Sequence, residues 1–348
     1  GSNNTAVGLL ALGANTTGAN NLAVGALALD ANTTASNNTA IGKAALGANT
    51  TGSENVAVGG NAIVVNTTGT SNTAVGYNAL SSNTTGGTNA AFGRETLTDN
   101  TTGSQNTAFG TQSLQDNTTA SSNTACGFRA LRLNTTGAEN VAVGSNALDA
   151  NTTAGQNTAV GFEAGTSITS GAGNDCFGRA TMNSLTTGSN NCGFGKGSLK
   201  NLTTGSGNVA LGDISAVSTR LFNVTTENDR LILGHHNITD AYIKVALTVT
   251  SDERDKIDFS SVPHGLDFVN KLEPKSFWFR RDRDSDEKNG CQHYGFVAQD
   301  ILALEGDNPV IIDNEQEEHL KYKGEHLIPV LVNAVKELSA KVTALEAG

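Results

Sequence analysis

The sequence predicts an all-β repeat rod followed by a small α/β domain, and three observations predict it. Thirteen glycines stand at a strict spacing of 17 residues, from Gly8 through Gly110 to Gly212. An asparagine precedes each by four residues, from Asn4 to Asn208. The composition then changes abruptly, with 16 charged side chains in residues 1–212 against 32 in residues 251–348. A fixed period of this length marks units that stack on their neighbours to bury a shared core, and a coil that must stay in register tolerates no insertion.

Each unit reads Asn-x-Ala-φ-Gly-x-x-Ala-Leu-x-x-Asn-Thr-Thr-Gly-x-x, with φ apolar. The φ residue is Val7, Ile41, Phe92, Phe109, Cys126 or Leu211 in different units, and the residue before it is Ala in eleven of the thirteen. Alternation of a large apolar side chain with a small one is a strand pattern with two packed faces. A second apolar anchor follows four residues after the glycine, at Leu12, Leu29, Leu46, Ile63 and onward to Leu148. Asn-Thr-Thr recurs nine times between Asn15 and Asn151. Asn and Gly there are expected to supply the left-handed dihedrals of a tight turn, and stacked Asn side chains to hydrogen-bond from coil to coil. Seventeen residues fit two short strands and two turns, so one unit is one coil of a parallel β-solenoid or β-roll. At about 4.8 Å per coil the rod is on the order of 60 Å long.

One coil offers a φ residue, a Leu and otherwise small or polar side chains, too little bulk to close a core alone. A second apolar face therefore meets other chains, and the rod is expected to be a symmetric oligomer. The pattern decays late, where Asn-Thr-Thr gives way to Ile168-Thr169-Ser170, Leu185-Thr186-Thr187 and Leu202-Thr203-Thr204, and the Leu slot to Gly165 and Met182. Such degeneracy is expected at a capping end. The reading divides the chain into a rod (1–212), a β-rich neck (213–250) containing Arg230–Leu233 and Ala241–Val249, and a charged α/β domain (251–348). From Leu331 through Val335, Leu338, Val342 and Leu345, apolar residues keep a 3–4 spacing suited to a coiled-coil helix.

A formal net charge of −11 argues against a nucleic-acid partner. No apolar run approaches the roughly 20 residues that span a bilayer, so no membrane insertion is expected. No secretory leader opens the chain; the initial Gly1-Ser2 reads as a cloning remnant, with a native segment expected before it. The four cysteines show no paired spacing, and Cys126 and Cys176 read as small core hydrophobes. His235-His236 and Cys291-x-His293 lack a second matched pair, so neither a metal nor a cofactor is expected. Nine scattered acidic residues in the rod do not suggest a glycan-cleaving carboxylate pair. Stacked threonines leave a minor alternative, an ice- or surface-binding face.

The candidate chemistry lies at Ser251-Asp252-Glu253-Arg254-Asp255-Lys256. A serine hydroxyl needs an adjacent base to act as a nucleophile, and the flexible stem of Lys256, five residues on, reaches Ser251 in a tight turn. Asp252, Arg254 and Asp255 are expected to hold that turn or an interface.

Residues 1–212 resemble the head repeats of trimeric autotransporter adhesins, in which three chains share one axis. The Ser-Asp-x-Arg-x-Lys opening at Ser251, the stretch Gly295-Phe296-x-Ala298-Gln299-Asp300 and the final Leu327-Ile328-Pro329 to Leu338 segment resemble the self-cleaving intramolecular chaperone of phage tail spikes, tail fibres and endosialidases. That resemblance implies a homotrimer that guides its fibre into register. It also implies a Ser251–Lys256 dyad cutting between Thr250 and Ser251, as a single-turnover autoprotease. The location it implies is a virion tail, with a host cell-surface receptor as a further partner; a trimeric surface adhesin of bacteria is the alternative.

Overall fold

The computed structural model describes residues 1–218, 222–235, 238, 251–280, 286–315 and 320–347. These fall into two compact units, one formed by residues up to 235 and the other by those from 251 on.

The first unit is a parallel β-solenoid. Thirteen three-residue strands, β1 (Thr5–Val7) through β13 (Val209–Leu211), pair in sequence order, each residue opposite the one 17 positions on, as Ala6 is opposite Ala23. Each coil contributes one strand, not the expected two. The second apolar anchor sits in a turn with left-handed backbone, φ being 51° at Leu29 and 50° at Ile63. The residue two positions earlier is left-handed as well, φ being 62° at Leu27. This alternation aims successive amides at opposite neighbours: Leu27 N–H donates back to Leu9 O (2.9 Å) and Leu29 N–H forward to Ala45 O (3.1 Å). The turn therefore pairs with both adjacent coils without being a strand. A left-handed non-glycine residue costs about 1–2 kcal/mol, and burying the Leu side chain contributes about 1.5–3 kcal/mol against it.

Left-handed dihedrals also occur just before the repeat asparagine, at Asn20, Glu54 and Gln105, but not at Asn15 or Gly18. The Asn-Thr-Thr triplet is shaped instead by side-chain bonding. Asn100 Nδ2 donates to Asn83 Oδ1 (2.8 Å) and to Gly103 O (3.0 Å), while its Oδ1 accepts from Asn117 Nδ2 (2.8 Å). The repeat asparagine makes a second ladder: Asn106 N–H donates to Asn89 Oδ1 (3.0 Å) and its Nδ2 to Ala120 O (2.9 Å). Both columns are buried. An amide suits this place because it is donor and acceptor at once, so each member satisfies the next.

Between the ladders run columns of Ala and Leu with no solvent exposure, Ala91, Leu97, Ala108 and Leu114 among them. One chain thus closes its own core, contrary to expectation, because small Ala and paired Asn fill the width that bulky residues would otherwise fill. Every repeat glycine has φ between +118° and +143°. A Cβ on Gly110 would stand 2.5 Å from Gly127 O of the next coil, so both backbone conformation and coil spacing exclude a side chain.

The late units do not unwind. Ile168, Leu185, Leu202 and Val224 continue the buried column that asparagines occupy earlier, and Asn151 Oδ1 is left without a partner where the ladder stops. Gly165 makes room: a Cβ there would lie 2.9 Å from Ile168 Cδ1. Gly193 likewise faces Met182 Cε. Large and small side chains have exchanged places in one core. A further strand, β16 (Leu231–Leu233), pairs in parallel with β13, Val209 opposite Leu231. That step is five residues longer than the repeat and contains the antiparallel pair β14 (Val217–Ser218) and β15 (Phe222–Asn223). Ala241–Val249 lie outside the described residues.

The second unit contains α1 (Leu266–Val269), the antiparallel pair β17 (Lys275–Arg280) and β18 (Lys288–Gly295), α2 (Ala298–Glu305), the short pair β19 (Ile312–Asp313) and β20 (Lys321–Tyr322), and α3 (Leu327–Glu346). Its core is small: Phe268, Ile301, Ile311, Ile312, Leu327 and Val330. Glu305 ties α2 to the loop before β19 by accepting from the N–H groups of Val310, Ile311 and Ile312 at 2.7–2.9 Å. Asn333 Nδ2 donates to Val262 O (3.2 Å) and His264 O (3.3 Å), and Glu337 accepts from Leu266 N–H (2.9 Å), so α3 grips the chain leading into α1. The opposite face of α3, with Leu331, Val335, Leu338, Val342 and Leu345, is exposed.

Candidate functional site

The candidate site is a single 3-10 turn, Glu253–Asp255, opened by Asp252 and closed by Lys256. Asp252 Oδ1 accepts from Arg254 N–H at 2.9 Å, the local bond that makes aspartate a good cap. The Arg254 guanidinium folds back on the same carboxylate, with Nε–Oδ1 at 3.0 Å and Nη2–Oδ2 at 2.5 Å. This contact, with the backbone bond, holds the Asp252 carboxyl below the usual carboxylate range. Lys256 N–H donates to Glu253 O (3.1 Å) and completes the turn.

The turn brings the ends together. Lys256 Nζ lies 2.6 Å from Ser251 Oγ and 3.3 Å from Ser251 O. Ser251, Asp252, Arg254 and Lys256 are all exposed. Asp252 and Arg254 bond to each other within the turn. Thr250, on the other side of the expected scissile bond, lies outside the described residues.

Other sequence candidates are not assembled into sites. Cys291 Sγ is 3.7 Å from His293 Nε2 on exposed β18, and no group of three metal-ligating side chains occurs among the described residues. His236 lies outside them. Cys176 is buried, whereas Cys126 is exposed, because the φ column faces outward; the core role expected of Cys126 does not hold. Burial pushes the Cys176 thiol pKa well up. The asparagines of the mid-rod Asn-Thr-Thr sequons are buried. The first threonine of each such triplet commits its hydroxyl to the next coil, as Thr101 Oγ1 does to Thr118 O (3.0 Å), and the second is exposed.

One cluster escaped the sequence reading. Asp99 and Asp116 occupy the same position of successive coils, and Arg132 bonds Asp149 with Nε–Oδ1 at 2.8 Å. Desolvation, then Asp99, raises the Asp116 carboxyl, and Arg132 opposes the rise. Subtracting repeat positions in the sequence would have found it. With an arginine already paired inside it, the cluster reads as part of the rod surface.

The fold defines a class: a parallel β-solenoid repeat protein that also carries a small α/β unit. Residues 251–308 match the model of a peptidase family described as Chaperone of endosialidase. The match contains the turn and the Gly295–Asp300 stretch and stops before α3. Comparison with curated proteins and with solved structures returned no match. A parallel solenoid followed by this domain fits a tail fibre with a C-terminal chaperone, of a family associated with autoproteolysis. No helix among the described residues is long and apolar enough to cross a membrane.

Proposed function

We propose that the chain is the shaft of a homotrimeric tail fibre whose C-terminal domain drives assembly and then severs itself between Thr250 and Ser251. The observation that carries this is the 2.6 Å Nζ–Oγ approach inside a turn that Asp252 and Arg254 hold. With Lys256 Nζ as the base, the hydroxyl proton passes to it as Ser251 Oγ attacks the Thr250 carbonyl carbon. The Thr250–Ser251 C–N bond then breaks, the proton passes to the Ser251 nitrogen, and the acyl group rests on Oγ as an ester. Water hydrolyses that ester, freeing a carboxylate at Thr250.

Two exposed apolar stripes support assembly. The φ column leaves Phe109 at 52% and Phe194 at 43% exposure, with Phe92 stacked on Phe109 and Phe177 on Phe194. On α3, Leu331 to Leu345 present a heptad seam to solvent. Both stripes suit copies of the same chain around one axis. On this reading the protein belongs to the tail of a virus particle, where the shaft displays or spaces a contact with the host surface.

Denaturing electrophoresis with N-terminal sequencing tests the chemistry. The parent should yield a small fragment beginning at Ser251, and Ser251→Ala and Lys256→Ala should leave the chain intact. A fragment beginning elsewhere, or cutting by Ser251→Ala, sinks the dyad. Light scattering of Ser251→Ala should give three times the chain mass of 35.7 kDa; a stable monomer refutes the trimer.

A further inference from the structure

The C-terminal unit carries an apolar arm and an apolar groove, and neither is filled. Just beyond the dyad, Ile257 is 86% and Phe259 68% exposed. Residues 257–261 make no hydrogen bond among the described residues. The groove, about 590 Å³, lies along the β17–β18 pair and is lined by Phe277, Phe279, His293, Tyr294, Phe296 and Tyr322. Tyr294 is 88% exposed. The two strands pair only with each other among the described residues, so each offers an open edge to an extended segment.

We infer that the Lys256–Phe259 arm of one copy docks in this aromatic groove of a neighbouring copy. The charges agree: the segment 251–259 carries four acidic side chains, Asp252, Glu253, Asp255 and Asp258, against Arg254 and Lys256, while Lys275 and His293 border the groove and Lys288 lies on the same hairpin, over the Trp278 ring. Asn333 and Glu337 hold residues 262–266 against the chain's own α3, so the arm leaves its own domain with its apolar side chains free. Arm and groove on one chain make a head-to-tail contact, which yields a ring when its rotation closes. This rests on the assembly proposed above and deepens it. Docking buries the residue next to Lys256 and strips water from the Ser251–Lys256 pair, which makes cleavage conditional on a neighbour.

Two differently tagged chains, both Ser251→Ala, Cys126→Ser and Cys291→Ser, are co-expressed, one with Phe259→Cys and the other with Tyr294→Cys. Mild oxidation should join the two tags by a disulfide, and Val310→Cys in place of Tyr294→Cys should not. An assembled oligomer without the mixed-tag product overturns the proposal. Should that pair fail to assemble, Ile257→Cys with Phe279→Cys is read the same way, and absence of its mixed-tag product overturns it equally. In the cleavage-competent parent, Ile257→Ser with Phe259→Ser should preserve the oligomer and slow cleavage at least about tenfold; an unchanged rate counts against docking. If the parent never cuts, the autoprotease reading fails while the cross-link still decides the docking.

Discussion

The solenoid and the C-terminal unit solve burial in opposite ways. In the solenoid each coil finds its partners one period away, so Ala, Leu and both asparagine columns reach zero exposure along most of the rod. Apolar surface stays open mainly along the φ column and the residue after the glycine, as at Phe109 and Phe128. The C-terminal unit buries a handful of residues and leaves Ile257, Phe259, Tyr294, Val335 and Leu345 in water. A repeat protein is stabilised by neighbour interfaces that one chain supplies to itself. On the assembly proposed above, other copies of the chain cover this exposed apolar surface.

The largest expected effect is at the repeat glycine. Gly110→Val forces a branched side chain into left-handed backbone and the next coil's carbonyl, and should lower the rod's melting midpoint by on the order of 10 °C. Thr118→Val, which loses one hydroxyl bond to Thr135 O, should cost far less. Calorimetry of both variants decides it; equal melting would mean that coil spacing does not depend on the glycine.

Next comes the ladder. Asn100→Ala leaves Asn83 Oδ1 without a donor and Asn117 Nδ2 short of an acceptor, while Gly103 O keeps the bond from Asn89 Nδ2 (2.9 Å); the cost is about 1–3 kcal/mol for each buried group left unpaired. Ile168 shows that an aliphatic residue is accepted in this column when a glycine stands in the Leu slot. Asn100→Ile with Leu97→Gly should therefore recover part of the loss, measured by chemical denaturation. No recovery would show that the exchange at Ile168 depends on more than volume.

The φ column and α3 separate folding from association. Phe109→Asp should leave the circular dichroism of the rod unchanged, because the side chain is outside the core, and weaken its self-association at least about tenfold in sedimentation. Leu338→Asp should do the same to the C-terminal unit. Loss of secondary structure in either variant would contradict the outward placement of these residues.

Smaller effects probe single groups. A thiol reagent at pH 8 should modify Cys126 and Cys291 in the monomeric protein and spare Cys176, whose burial keeps it protonated. The Asp252 cap should behave as a depressed carboxyl does. Its stabilisation is present above the ordinary aspartate value of 3.8 and is lost as pH falls through the lower folded value. NMR titration of Asp252 in wild type and Arg254→Ala should show the midpoint rising when the guanidinium is removed.

Period, parallel register, buried Ala and Leu columns and the Ser251–Lys256 turn are all legible in the residues, because each follows from spacing along the chain. A 17-residue step states which side chains are neighbours, and a serine with a lysine five positions on states which atoms a short turn can join. Tertiary structure alone decided the rest. One strand per coil depends on left-handed turns at Leu29 and its equivalents, a conformation that leucine does not advertise. The self-sufficient core depends on asparagines that are polar in composition but buried in geometry. The continuation of the core at Ile168 depends on volume exchanged with Gly165, which a consensus read one position at a time registers as decay.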